Sequence, residues 1–271
     1  GLGIIGSDMP LAKGIVDRLN KMGIPAFGPT QAAARIESSK SFALQIMDEV
    51  SVPHPESWVF WNQQEALDFL EKHPGRIVVK ADGLAYGKGA WPCHTLKEAA
   101  KAIQTCFADR PGEPVILQEF LDGREVSVFA FSDGQHVSSL VAACDYKCIN
   151  DGDEGPNTGG MGSFTPPDFW TDELATSISQ NIMQPVIGEM ARRGTPFRGV
   201  LYGGLMITPE GPKVLEFNAR LGDPEAQVIL PLLITDPLEI MMACIEENLD
   251  EIPVAWEKEE ACVGVVMASG G

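Results

Sequence analysis

PKVLEFNARLGDPEAQ, residues 212–227, reads as a strand that runs into a bent acidic loop. Alternation places Val214, Glu216 and Asn218 on one face and Leu215 and Phe217 on the other. A carboxylate and an amide oxygen two residues apart suit a hard divalent cation. Such a site takes few protein oxygens and leaves its other positions to water and phosphate. Arg220, Asp223 and Glu225 follow where Gly222 and Pro224 bend the chain. The plain alternative is an edge strand with a solvated polar face.

Other segments suit phosphate. Ile77-Val-Val-Lys80 is an apolar strand ending in lysine, and ADGLAYGKG follows it. Gly83, Gly87 and Gly89 free the backbone to approach phosphates and to move as a lid. The G-x-x-x-G-K-G spacing around Lys88 is one residue short of a Walker A loop, has no Ser/Thr for a metal, and is followed by Pro92. Lys40 opens another helix, where the dipole also favours anions. Gly155-Pro-Asn-Thr-Gly-Gly-Met-Gly162 reads as a nest of amide donors around Asn157 and Thr158. Gly1-x-Gly3-x-x-Gly6 matches a dinucleotide fingerprint only literally, because its glycines lie inside the strand.

Helix starts are legible at Asn62 with Glu65, Thr95 with Glu98, and Asp236-Pro237 with Glu239. Asp8 caps an expected helix from Pro10 to Met22. Thr171 opens one striped by Leu174, Ile178, Ile182, Val186 and Met190, with a kink at Pro185. Strands are expected at Arg76–Lys80, Val115–Glu119, Glu125–Ser132, Val137–Ala143, Val200–Thr208, Lys213–Asn218 and Ala261–Met267. Mixed sheets with helices give an α+β or α/β fold. The 271 residues, 44% hydrophobic, allow more than one lobe.

A net charge of −18 argues against nucleic acid as a partner. An anionic substrate must then be steered by a local basic cluster. No apolar run reaches ~18 residues, so no membrane span is expected. The amino end lacks a basic region, so no signal peptide is read there. Cysteines 93, 106, 144, 148, 244 and 262 form no paired CxxC and read as free thiols of a reducing, cytoplasmic compartment. A metal on Cys144 and Cys148 is the alternative. The chain starts in one strand-like run and stops after another, so both ends are expected to be cut.

VLEFN with RLGDPEAQ, together with GPNTGGMG, resembles the phosphoribosylamine–glycine ligase (glycinamide ribonucleotide synthetase) family of ATP-grasp enzymes. The resemblance covers essentially the whole chain and matches the middle of such an enzyme. It implies an ATP-grasp fold with the remnant of an amino-terminal α/β domain at 1–30. A large lobe would take 31–52 and 120–260, a small lobe with the glycine flap 53–119, and a carboxy-terminal domain would start at 261–271. ATP would meet Lys40, Lys80, the flap residues Gly83, Gly87, Lys88 and Gly89, and the linker Gln118, Glu119, Phe120 and Leu121, with Glu125 on the ribose. Asp8, Asn157, Thr158, Gly159, Gly160, Met161 and Asp223 would face the other substrates. Asp145, Lys147 and Arg220 would act in the chemistry, and Glu216 and Asn218 would hold Mg²⁺ or Mn²⁺.

The implied reaction joins glycine to 5-phosphoribosylamine at the expense of ATP, and a larger multifunctional purine-synthesis chain is compatible with it. Three positions depart from the family: Gln118 where Glu is frequent, Cys148 where Arg usually follows the lysine, and GSDMPL where GPEAPL is common. Another ATP-grasp ligase, carboxylating or peptide-forming, and a non-catalytic nucleotide-binding module stay open.

Overall fold

The computed structural model of the chain describes residues 1–84, 89–152 and 154–269, and the backbone alone at 156 and 157. Gly87 and Lys88 of the glycine segment lie outside the described residues. Strands β1 (Gly3–Ile4) and β2 (Ala26–Phe27) form a short parallel pair. Strands β3 (Ser57–Phe60), β4 (Ile77–Ala81), β5 (Ala90–Cys93) and β6 (Val115–Glu119) form an antiparallel sheet in the order β3-β6-β4-β5. Strands β7 (Arg124–Asp133), β8 (Val141–Asn150), β9 (Glu154–Thr165), β10 (Arg198–Thr208), β11 (Gly211–Asn218) and β12 (Cys262–Val265) form a six-stranded sheet in the order β11-β10-β7-β8-β9-β12.

Period-two burial fixes which face does what. In the smaller sheet Ile77, Val79, Val115 and Leu117 pack with the helices Gln63–Lys72 and Leu96–Asp109. Asn62 and Thr95 cap those helices, the latter in a full capping box with Glu98. Val78, Lys80, Ile116 and Gln118 are left on the opposite face, paired Val78 to Gln118 and Lys80 to Ile116. In β7, Val126, Val128 and Ala130 enter one core with the helices Lys40–Glu49 and Gln184–Arg192, while Phe129 and Phe131 enter another with the helix Pro237–Glu246. The centre of the large sheet, β7 and β10, is therefore buried on both sides, and its face toward Lys40–Glu49 meets the smaller sheet through Ile116.

Several expectations are corrected. The helix expected at 10–22 is two, Asp8–Ala12 and Ile15–Lys21, because Gly14 takes φ 74°. The helix from Thr171 comes in three consecutive segments, Asp172–Ile178, Ser179–Met183 and Gln184–Arg192. The middle one widens to π geometry, and Pro185 opens the last, where it needs no N–H partner. The strand expected at 137–143 starts at Val141, because Ser138 Oγ takes the Phe131 N–H at 3.0 Å in place of a ladder partner. The glycine segment 155–162 is no nest. It lies inside β9, paired with β8, and its Gly162 also faces Val265 of β12.

Gly160 shows one reason for the glycines of β9. It sits at φ +124°, and a Cβ there would come 2.3 Å from Pro224 Cδ. The bare backbone lets the loop after β11 lie on the strand, where Ser163 Oγ donates to the Pro224 carbonyl at 2.8 Å. No helix is long and apolar enough to cross a membrane among the described residues.

Candidate active site

A cleft of about 790 Å³ lies between the two larger sheets. One side is the face of the smaller sheet turned away from its two helices; the other is β11 and the loop that follows it. The β10–β11 ladder pairs Gly204 with Glu216 and then Leu205 with Val214, so Leu215 is an extra residue, a β-bulge. The bulge corrects the simple alternation. Val214 joins Phe217 in the core, while Glu216 and Asn218 line the cleft. It also frees the Leu215 carbonyl, which accepts from Lys80 Nζ at 2.8 Å.

Glu216 sits in a field of cations. Burial pushes its carboxyl up, but Lys80, Lys40, Lys147 and Arg220 outweigh it and hold the group below the usual range. Burial pushes the Lys80 ammonium down to about 8, against the opposing pull of Glu216. Lys40 Nζ donates to the Gly83 carbonyl at 2.9 Å. Lys147 lies 3.2 Å from Glu125 and 3.3 Å from Asp145. Its burial disfavours charge, yet Glu125, Asp145 and Glu216 raise it above the ordinary lysine range.

Most of the residues singled out from sequence line this cleft: Asp8, Lys40, Lys80, Gly83, Gly89, the 118–121 linker, Glu125, Asp145, Lys147, Thr158, Gly159, Glu216, Asn218, Arg220 and Asp223. Others are not brought there. Gly160 packs under Pro224, and Met161 lies by a separate apolar groove with Phe164 and Val265. Among the described residues, four cations line the cleft: Lys40, Lys80, Lys147 and Arg220. They face eight carboxylates, those of Asp8, Glu37, Glu119, Glu125, Asp145, Glu216, Asp223 and Glu225. The expected basic cluster is thus a positive ring around Glu216 inside a formally acidic wall.

Three supporting groups escaped the sequence reading. Glu37 is buried, accepts from the Ala219 N–H at 2.9 Å and meets Arg220 at 3.2 Å, so it aims the guanidinium. Burial raises its carboxyl despite Arg220. Asp82, buried just beyond β4, accepts from the Lys40 N–H and the Ser41 hydroxyl, each at 2.5 Å, and from the Gly83 N–H at 2.9 Å. One carboxylate therefore joins the helix bearing Lys40 to the loop after Lys80. Arg110 donates to the carbonyls of Asp82 and Leu84, both at 2.6 Å, and fixes the root of the glycine segment. Only Asp82 carried a signal, its place between Lys80 and Gly83. Beneath Asp145 and Lys147, Glu225 accepts from Tyr202 Oη at 2.9 Å and Ser127 Oγ at 3.2 Å; burial, then Asp145, raises its carboxyl.

Glu216 and Asn218 supply the oxygen donors a hard cation needs, beside ammonium groups suited to phosphate. A separate acid–histidine group, Asp133, His136 and Asp250, lies away from the cleft. There Asp133 accepts the N–H groups of Gln135, His136 and Leu249, so it serves the local turns.

Comparison with known proteins agrees with this geometry. The family model described as phosphoribosylglycinamide synthetase, ATP-grasp (A) domain matches residues 38–226, and that of its N domain matches 1–37. A phosphoribosylamine–glycine ligase of Caldanaerobacter subterraneus is 46% identical over 99% of this chain and 65% of its own length. A trifunctional purine biosynthetic protein adenosine-3 of Gallus gallus is 44% identical over 99% of this chain and 27% of its own. The crystal structure of the Thermotoga maritima phosphoribosylamine–glycine ligase superposes with a TM-score of 0.85 at 30% identity, covering 98% of this chain and 66% of that one. The chain thus spans about 65% of the first of these relatives. With the ATP-grasp description matched across both lobes of the cleft, the chain belongs to the phosphoribosylglycinamide synthetase family.

Proposed function

We propose that this chain is the nucleotide-binding part of an ATP-dependent ligase that joins glycine to 5-phosphoribosylamine, giving glycinamide ribonucleotide, ADP and phosphate. The ring of Lys40, Lys80, Lys147 and Arg220 around Glu216 carries the reading. The family and the names of its relatives supply the substrates. On this reading the amino-terminal α/β remnant is 1–30, the small lobe is 53–119, the large lobe is 31–52 and 120–260, and 261–271 opens a further domain. Mg²⁺ or Mn²⁺ would sit on Glu216 and Asn218, where it would neutralise phosphate charge. The cytoplasm is the proposed compartment, and a longer multifunctional chain is compatible with the trifunctional relative.

The chemistry follows from leaving groups. A carboxylate resists an amine because oxide would have to leave. An oxygen of the glycine carboxylate attacks the γ-phosphorus and ADP departs; the phosphoribosylamine nitrogen then attacks the carbonyl carbon of the acyl phosphate, phosphate leaves, and the nitrogen gives up a proton. The protein supplies position and charge neutralisation. Lys40 and Lys80 hold phosphate oxygens, and Arg220, aimed by Glu37, faces the transferring group. Lys147, fixed by Glu125 and Asp145, holds charge beside them. Asp8, Asp223 and the Thr158–Gly159 edge of β9 face the glycine and ribose-phosphate side. Gly87, Lys88 and Asn157 keep their proposed contacts with nucleotide or substrate, while Gly160 and Met161, expected to touch substrate, would instead hold β9 in place.

In the full-length enzyme, sustained ADP release with Mg-ATP should require glycine and phosphoribosylamine together. Equal release with bicarbonate or another amino acid in place of glycine would overturn the substrate assignment. Binding should also depend on pH through Lys80. Its free-state value is about 8, and bound phosphate favours the ammonium, so the complex holds the extra proton. Mg-ATP affinity should be flat below pH 7 and fall as pH rises through 8, by at most about tenfold per unit. Calorimetry in buffers of different ionisation enthalpy would record the proton uptake.

A further inference from the structure

Ser57 stands opposite Gln118 across the antiparallel β3–β6 pair. Its hydroxyl donates to the Pro55 carbonyl at 2.7 Å, and Gln118 Nε2 donates to Ser57 Oγ at 2.9 Å. A carbonyl oxygen only accepts, so the one hydroxyl proton is committed to Pro55. Ser57 therefore presents only lone pairs to Gln118. The two ends of a primary amide have nearly the same shape and opposite hydrogen-bonding character. Turned the other way, the Gln118 carbonyl would face those lone pairs and the hydrogen bond would be lost. Gln118 is 3% exposed, and it lines the cleft on the same sheet face as Val78, Lys80 and Ile116.

We infer that Ser57 is a positioning residue for nucleobase selection: it holds the Gln118 amide with its oxygen toward the cleft, so that the site takes a 6-amino purine and disfavours a 6-oxo purine. The inference rests on the nucleotide-binding reading above. A 6-amino group donates to Oε1. A 6-oxo group sets acceptor against acceptor. With Glu at position 118 both ends would accept and no director would be needed. An amide there needs one, and the Pro55–Ser57 relay supplies it.

ATP and ITP differ at the 6-position in the required sense, and calorimetry with their magnesium complexes reads the ratio of affinities. The parent chain should prefer ATP by about tenfold or more, and Ser57→Ala should bring the ratio to within about threefold. Ser57→Thr, which keeps the hydroxyl, should restore the preference. In a Gln118→Glu background, Ser57→Ala should leave the ratio unmoved, whereas simple loosening of β3 would act in both backgrounds alike. An unaltered ratio in Ser57→Ala, or the same change in both backgrounds, would overturn the inference and leave nucleotide binding standing. Failure of the parent chain to bind either nucleotide would overturn that reading and this inference with it.

Discussion

Replacing Glu216 with Gln is expected to lower Mg²⁺-dependent ATP turnover by roughly 10²–10³-fold, the scale set by removing one preorganised charged contact at a reacting phosphate. Two effects add. The proposed cation site loses the charged one of its two proposed donors. Lys80 loses the foremost influence that raises its ammonium against burial, so its value drops below about 8 and more of it is neutral near pH 7.5. The substitution is isosteric, so thermal unfolding should shift little. The checks are ADP release against Mg²⁺ concentration and a melting curve. Unchanged turnover with unchanged metal dependence would remove Glu216 from the metal site.

The second large effect is structural. Asp82→Ala should cost about 3 kcal/mol of stability, because it strips buried N–H and O–H donors of one shared acceptor. Asp82→Asn keeps one acceptor oxygen and should recover part of the loss. Urea unfolding measures both. Nucleotide affinity should fall more in Asp82→Ala than stability alone explains, since Lys40 and Lys80 would no longer be held in register. If Asp82→Ala unfolds at the parent's denaturant midpoint, the carboxylate is not the joint between helix and strand.

The β6 and β11 strands, the capped helices and the cation-rich segments were legible because they depend on neighbours in sequence. Glu216 and Asn218 keep their spacing of two whatever the sheet does upstream. Val214 was misplaced because a bulge is set by the partner strand: the pairing of Leu205 with Val214 has no local signature. GPNTGGMG pointed to the family correctly, but its reading as a nest failed for a related reason. Two of its glycines serve close approaches from distant residues, Gly160 under Pro224 and Gly162 against the Gly264 carbonyl, and those partners are invisible to a window of eight residues. Glu37, Asp82 and Arg110 escaped because each acts on another residue's backbone or side chain across the fold. A single sequence without tertiary contacts gives such groups no pattern.

Among the described residues, the cleft wall sets eight carboxylates against four cations, and this has a thermodynamic consequence. Such a wall repels a bare polyphosphate, and the whole chain at −18 adds to the repulsion. A divalent cation reverses the balance only if it enters with the nucleotide or ahead of it. Metal and nucleotide then behave as linked ligands: each raises the other's affinity by the same factor, as reciprocity requires. Electrostatics would then favour the metal complex over uncomplexed ATP, so free Mg²⁺ as well as total ATP would set how full the site is.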